Sequence, residues 1–116
     1  MTALLVALGA AVGAPLRLLV NHELRTRYPA SPAAGTLAVN VAGSFVLGLL
    51  AGHAIQGSWL ALIGTGFCGA LTTFSTLALE LWTILEDRRW RHLATQVTLT
   101  LTLGLGAAYL GFVLTR

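Results

Sequence analysis

The chain has 116 residues, of which 56% are hydrophobic and only 9% are charged, and its formal net charge is +3 at pH 7. This composition excludes any sizeable soluble domain and indicates a chain whose solvent is lipid. The positive charge comes from arginines in short connections, which is typical of juxtamembrane segments and makes nucleic acid an improbable partner. A single cysteine, Cys68, excludes an intrachain disulfide and a cysteine-based metal site.

Four apolar runs, each long enough to cross a hydrocarbon core of about 30 Å, follow one another along the chain. They cover approximately residues 2–20, 34–55, 59–85 and 93–114. The first run has no basic residue before it and carries Arg17 close to its end, which argues against a cleaved secretory signal. The arginines, His22 and prolines after it predict a loop. The sequence therefore predicts a single transmembrane domain over 1–116.

The fourth run contains an alternating segment, "VTLTLTLGLG" (97–106), which has the period of a half-buried strand. A lone strand would leave its backbone groups unpaired in hydrocarbon, and the chain offers too few alternating segments for a closed barrel. We therefore predict an all-α membrane protein with four transmembrane helices.

The third run is the unusual one, since its 27 residues would extend about 40 Å as a straight helix. Its middle holds three glycines and then four hydroxyl side chains, in "GTGFCGALTTFST" (64–76). A long tilted helix explains the length. A helix broken near Gly69 to Thr73, with its freed backbone groups facing protein, water or an ion, explains the polarity as well.

Helical spacing sorts the other polar residues. Asn40, Ser44, Gly48 and Gly52 form one stripe on the second helix, which should face protein. The amide of Asn40 either bonds a neighbouring helix or lines a pathway. Glu80 is expected near the interface, where it either pairs with an arginine such as Arg17 or Arg88 or takes part in transport. No histidine lies in a span beside a serine or threonine, so an enzyme is improbable. Similar lines of small and polar residues occur on the first helix (Gly9, Gly13, Arg17) and the fourth (Gln96, Thr100, Gly104, Ala108).

Three segments together carry a resemblance to a known family. "GAPLR" (13–17), "GTLAVNVAGSFVLGLLAG" (35–52) and "GFCGALTTFSTLALE" (66–80) resemble the signature segments of the small bacterial fluoride channels, the CrcB or Fluc family. The resemblance implies a fluoride-selective channel of the bacterial inner membrane that lowers cytoplasmic fluoride by passive efflux. It also implies an antiparallel, dual-topology dimer and a structural sodium ion held by the main-chain carbonyls of Gly69 and Thr72.

The expected fluoride pathway combines this resemblance with donor chemistry. Asn40 offers an amide N–H, and Ser75, Thr76 and Thr100 offer hydroxyls. Phe74 matches the first of two family phenylalanines whose ring edges face the ion, while Leu77 stands where the second is expected. Phe45 is a weaker candidate for the pathway wall.

The arginines predict how the chain is oriented in the membrane. Five of them lie in or beside the connections after the first and third runs, namely Arg25, Arg27, Arg88, Arg89 and Arg91. This distribution favours one orientation with both termini outside the cytoplasm. The dimer partner is then either a second copy or an oppositely oriented homologue.

Two other functions remain: a weakly conducting or non-conducting partner subunit, and a proton-coupled exporter. The first helix lacks the deep carboxylate that an exporter needs.

Overall fold

The computed structural model describes residues 1–29 and 33–116. Four helical spans cross its long dimension, which measures 45 Å against 28 and 23 Å for the other two axes. All four are long and apolar enough to cross a membrane. The predicted all-α membrane fold with a broken third helix is confirmed. The helices are α1 (Thr2–Arg27), α2 (Ala34–Gly52), α3 (57–71), α4 (Phe74–Glu86) and α5 (Trp90–Thr115).

Helix α1 is longer than the sequence predicted, because it continues to Arg27 and does not end near residue 20. The apolar run does stop there, but Glu23 and Arg27 are good helix formers at i,i+4 spacing, with Nε and Oε2 3.4 Å apart. The Tyr28 N–H then donates to the Leu24 carbonyl at 2.8 Å and closes the last turn. Hydropathy marks where the hydrocarbon ends, which is not where the helix ends.

Close backbone contacts between helices depend on glycine. A Cβ on Gly9 would meet the Leu62 carbonyl and one on Gly13 the Phe67 carbonyl, so α1 lies directly against α3. A Cβ on Gly48 would likewise meet the Ala108 carbonyl of α5. The glycines of the predicted stripes therefore face protein, and small side chains let these backbones approach without a hydrophobic driving force.

The third span consists of two helices that meet at a break. Its first part, α3, begins as a short α-helix at Gly57–Trp59, widens to a π-helix over Leu60–Cys68, and returns to α-helix at Gly69–Leu71. Its second part is α4, in which Ile84 is the one buried side chain. A wide π-helical stretch is often found at functional sites, and here it leads directly into the break.

The outer surface of the bundle is apolar, as lipid requires. Large side chains such as Leu18, Trp59 and Leu105 are 67%, 63% and 69% exposed. The buried residues of the described chain are few and mostly small, because neighbouring helices touch through backbone and not through large side chains. The buried hydrophobic residues are Ala33, Val39, Ala61, Cys68, Leu71 and Ile84.

Candidate functional site

The break in the third span is made by two consecutive threonines. Thr72 and Thr73 have extended backbones, with φ/ψ of −81°/160° and −149°/124°. The Thr72 N–H and Oγ1 both donate to the Cys68 carbonyl at 2.9 Å, which closes α3. Thr73 Oγ1 accepts from the Thr76 N–H at 3.2 Å and caps α4. A threonine side chain thus forms a hydrogen bond with a backbone group at the helix end on each side of the break.

Asn40 on α2 holds the break from across the bundle. Its Oδ1 accepts from the Thr73 N–H at 2.9 Å, and its Nδ2 donates to the Thr73 carbonyl at 3.2 Å. One amide side chain therefore bonds both backbone groups of Thr73, and its Oδ1 takes the place of the Gly69 carbonyl as the acceptor for the Thr73 N–H. A carboxamide has two N–H donors, so a second donor of Asn40 remains for another acceptor.

Several main-chain carbonyls at the break have lost their helical donors, Gly69 and Thr72 among them. In an unbroken helix the Gly69 carbonyl would accept from the Thr73 N–H, and the Thr72 carbonyl from the Thr76 N–H. Those two N–H groups instead donate to Asn40 Oδ1 and to Thr73 Oγ1. The Gly69 and Thr72 carbonyl oxygens are therefore among those that the break releases, together with the Ala70 and Leu71 carbonyls of the last turn of α3. A hard cation such as sodium prefers oxygen ligands of this kind.

Side-chain metal ligands do not gather elsewhere. Within the described residues, no group of three or more His, Cys, Asp or Glu side chains could hold a metal ion.

The hydroxyl groups after the break form a short chain of hydrogen bonds. Thr73 Oγ1 donates to Thr76 Oγ1 at 3.2 Å and lies 3.4 Å from Ser75 Oγ. Because the Thr73 proton is used in this way, the hydroxyl proton of Thr76 is free to point elsewhere. Thr76 also lines a cavity of about 380 Å³ together with Arg17, Asn21 and Arg25. This cavity therefore brings the side chains of Arg17 and Arg25 near the Thr76 hydroxyl.

Leu77 separates two small cavities within the membrane depth. The first, about 220 Å³, lies at the break and is lined by Asn40, Ser44, Thr73, Phe74 and Leu77 among others. The second, about 130 Å³, is lined by Leu77, Leu81, Val97, Thr100 and Leu101. Leu77 belongs to both, so its side chain is the wall between the break and Thr100.

The predicted site residues are brought together only in part. Asn40, Thr72 and Phe74 share the break cavity, and Ser75 and Thr76 follow in the first turn of α4. The ring of Phe74 is 82% exposed and points out of the bundle. Thr100 lies beyond Leu77, with its Oγ1 buried and without a partner among the described residues. Phe45 lines a different, apolar groove and not the break cavity.

Sequence reasoning assigned no role to two other buried polar residues. Gln96 is 7% exposed with Nε2 unpartnered among the described residues, and Thr36 is 1% exposed. Gln96 lies one helical turn before Thr100, and Thr36 lies one turn before Asn40. This four-residue spacing from other polar residues is the sequence pattern that could have identified them.

Glu80 lies beside arginines other than the expected ones. A cavity of about 290 Å³ contains it together with Arg25, Arg89 and His92, and its Oε1 is buried without a hydrogen-bond partner in the described part of the chain. The predicted pairing with Arg17 or Arg88 is wrong. Helix α1 continues past residue 20 and carries Arg25 to the level of Glu80, while Arg88 adopts a positive φ in the turn.

The family model described as "CrcB-like protein, Camphor Resistance (CrcB)" matches residues 4–112. The chain belongs to the CrcB family. The matched region includes all four spans, the break and Asn40. With four membrane-spanning helices, this CrcB-family chain is a multi-pass bacterial membrane protein.

Individual CrcB-family relatives align over almost their whole length. "Fluoride-specific ion channel FluC 2" of Rhodococcus jostii (strain RHA1) is 48% identical over 115 residues, 99% of each chain. "Fluoride-specific ion channel FluC 1" of Leifsonia xyli subsp. xyli (strain CTCB07) is 43% identical over 112 residues, 93% of this chain and 82% of the relative. "Fluoride-specific ion channel FluC" of Campylobacter jejuni subsp. jejuni serotype O:23/36 (strain 81-176) is 41% identical over 118 residues, 97% of this chain and 96% of the relative.

Proposed function

We propose that the chain is a fluoride channel, not an enzyme, and that it lowers cytoplasmic fluoride by passive efflux. The observation that carries the proposal is the break at Thr72–Thr73, held by Asn40 at membrane depth, in a chain whose full-length relatives are named fluoride-specific ion channels. An inside-negative membrane potential supplies about 2.3 kcal/mol per charge per 100 mV, which is enough to expel an anion without a pump.

The pathway must replace the water around a small, strongly hydrated anion with hydrogen-bond donors. We propose three such donors: the remaining N–H of Asn40, the hydroxyl of Thr76, and the hydroxyl of Thr100, which has no partner among the described residues. We call the end of the bundle where α1 finishes and α5 begins the arginine-bearing end, because Arg25 and Arg89 lie together there. On this side, the cavity lined by Arg17 and Arg25 raises the local anion concentration next to Thr76. Ser75 lies beside these donors as a further hydroxyl.

Phe74 serves the pathway from the outside of the chain. An aromatic ring edge carries partial positive charge and is suited to an anion. Because the ring is 82% exposed, its edge can face only an ion that passes between this chain and a neighbour. The pathway therefore runs along the surface at the break.

A structural sodium ion fits the break. The Gly69 and Thr72 carbonyls are the oxygens released by the Asn40 and Thr73 hydrogen bonds, and they would hold it. When bound, the ion supplies a fixed positive charge that compensates carbonyls with no amide partner in a medium without water.

We also propose that the chain forms an antiparallel dimer through the face that carries the break. Phe74 and Ser75 are exposed there and Thr72 is half-buried, yet irregular backbone at membrane depth requires protein or water around it, not lipid. The partner is a second copy or an oppositely oriented homologue, and bilayer lipid surrounds the pair.

Fluoride efflux from liposomes tests the function. The purified chain alone is reconstituted with a potassium gradient, valinomycin sets the potential, and a fluoride electrode records release. We expect fluoride release with little chloride release and no dependence on a proton gradient. Release that requires a proton gradient would contradict a passive channel.

One observation supports a second candidate, a subunit that conducts weakly by itself. Leu77 closes the wall between the break cavity and Thr100 with an aliphatic side chain that offers no positive edge to an anion. For such a subunit, Leu77→Phe should raise fluoride efflux by about tenfold, equal to 1.4 kcal/mol of barrier. Leu77→Ile, which keeps an aliphatic wall, is the control and should leave efflux unchanged. No gain from Leu77→Phe would remove this candidate.

A further inference from the structure

A long apolar groove lies on the opposite side of α2 from the break. It has a volume of about 750 Å³ and runs between the end of α1, α2 and the second half of α5. Ala34, Ala38 and Ala42 recur every four residues along its α2 side, so this side is shallow and smooth. We call this feature the alanine groove.

The alanine groove begins at the arginine-bearing end and continues past the middle of the bundle. Along α2 it extends from Ala34 to Phe45, which at 1.5 Å per residue is about 16 Å, half of a hydrocarbon core of about 30 Å. It begins beside Tyr28, and on α5 its lining runs from Leu103 to Leu110, in the half of that helix away from the arginines. An acyl chain that enters from the arginine-bearing leaflet fits within this length.

The mouth of the groove carries groups that suit a phosphate. Tyr28 lines the groove and is 57% exposed, and Arg27 precedes it directly. The Nε of Arg27 lies 3.4 Å from Glu23 Oε2, which leaves its Nη groups for another acceptor. Four further arginines (Arg25, Arg88, Arg89, Arg91) lie at the same end and attract anionic headgroups.

The chemistry of the groove favours lipid over a second protein chain. Apart from the Tyr28 phenol, every lining side chain is aliphatic or phenyl, so nothing inside it needs a hydrogen-bond partner. The polar groups that do need covering, Ser75 and the Thr72 carbonyl, lie at the break. We infer that the alanine groove binds an acyl chain of an anionic phospholipid from the leaflet at the arginine-bearing end, with its phosphate contacted by Arg27 and Tyr28. This inference does not rest on fluoride conduction.

Native mass spectrometry tests it. The full chain is extracted from bilayers with equal phosphatidylglycerol and phosphatidylcholine, and bound lipids are counted per chain. We expect one retained phosphatidylglycerol. Ala42→Phe, which fills the groove, should reduce retention about fivefold, while Ala94→Phe, also at an exposed alanine on the arginine-bearing half, should not. Equal retention in wild type and Ala42→Phe would overturn the inference, as would loss of the dimer in Ala42→Phe with lipid retained.

A second variant tests the headgroup separately. Arg27→Gln lies on an exposed helix end, so folding should persist. The preference for phosphatidylglycerol over phosphatidylcholine should fall about fivefold, the effect of one arginine near a membrane surface, while one lipid remains bound. An unchanged preference would contradict a phosphate contact at Arg27.

Discussion

At the residue scale, the structure shows one of the two roles that the sequence left open for Asn40, and the proposed pathway assigns it the other. Asn40 bonds a neighbouring helix segment, through both backbone groups of Thr73, and it lines the break cavity. A carboxamide is the side chain that can offer both an acceptor and two donors at one point. Position 40 therefore tolerates neither a purely apolar residue nor a carboxylate.

Replacing Asn40 by Asp tests this double role. The variant keeps an acceptor for the Thr73 N–H but sets an oxygen against the Thr73 carbonyl and a negative charge beside the anion. We expect fluoride efflux from liposomes to fall at least about tenfold and the free energy of unfolding to fall by about 1–3 kcal/mol.

The matched control for Asn40→Asp is Gln56→Glu, the same amide-to-acid change in an exposed connection, which should alter neither quantity. Unchanged efflux in Asn40→Asp would show that this chain does not line the conducting pathway and would favour the weakly conducting subunit.

At the scale of elements, the break depends on how closely α2 approaches it. Gly43 lies one helical turn beyond Asn40, and a Cβ there would collide with Thr72 Cγ2. Thr72 cannot withdraw easily, since its Oγ1 and N–H are both bonded to the Cys68 carbonyl. Two residues one helical turn apart thus set the position of α2 against the break. Gly43 permits the close contact with Thr72, and Asn40 forms the hydrogen bonds with Thr73.

Gly43→Ala should therefore lower the free energy of unfolding by about 1–3 kcal/mol through overpacking, with loss of fluoride efflux. Gly106→Ala is the control, since a Cβ there meets no described atom within 4 Å and alanine should stabilise α5 by about 0.5–1 kcal/mol. Chemical denaturation in detergent measures both. Equal effects of the two substitutions would contradict the close contact at Thr72.

The released carbonyls at the break predict a dependence on sodium. Replacing sodium by N-methyl-D-glucamine at constant ionic strength should lower the melting temperature, because a ligand at 100 times its dissociation constant stabilises the folded state by about 2.7 kcal/mol. A differential scanning measurement in detergent with graded sodium checks it. The same exchange on Asn40→Ala, where the Thr73 N–H is free to return to the Gly69 carbonyl, should have a smaller effect. A melting temperature that is independent of sodium would argue against a cation at Gly69 and Thr72.

At the scale of the whole molecule, charge is distributed unevenly between the two ends. Arg25, Arg89 and His92 line one cavity with Glu80, which places the connections after α1 and α4 at the same end of the bundle. The other end carries Arg116, His53 and the amino terminus. Arginine near span ends biases insertion, so this asymmetry favours one orientation.

Reporter fusions at both termini test the orientation. We expect both termini outside the cytoplasm for nearly all molecules, and a mixture once Arg88, Arg89 and Arg91 are changed together to Gln. Glu80 and the break are not altered by those changes. An even mixture for the unchanged chain would contradict the bias and favour a homodimer of two orientations.

The sequence by itself determined the lipid environment, the number of spans and the place of the break, because each is encoded locally. Apolar length counts the spans, and glycine and threonine crowded together mark a helix that cannot continue. The resemblance of the segments around Asn40 and Thr72 also pointed to the family that the comparisons show.

The tertiary structure alone decided which polar atoms meet. That Asn40 bonds Thr73, that Leu77 separates the break from Thr100, and that Arg25 lies beside Glu80 all depend on the register between helices. Register is set by glycine contacts such as Gly9 against α3, which join residues far apart in the chain. Hydropathy and helical period carry no information about such pairs, because they describe one helix at a time.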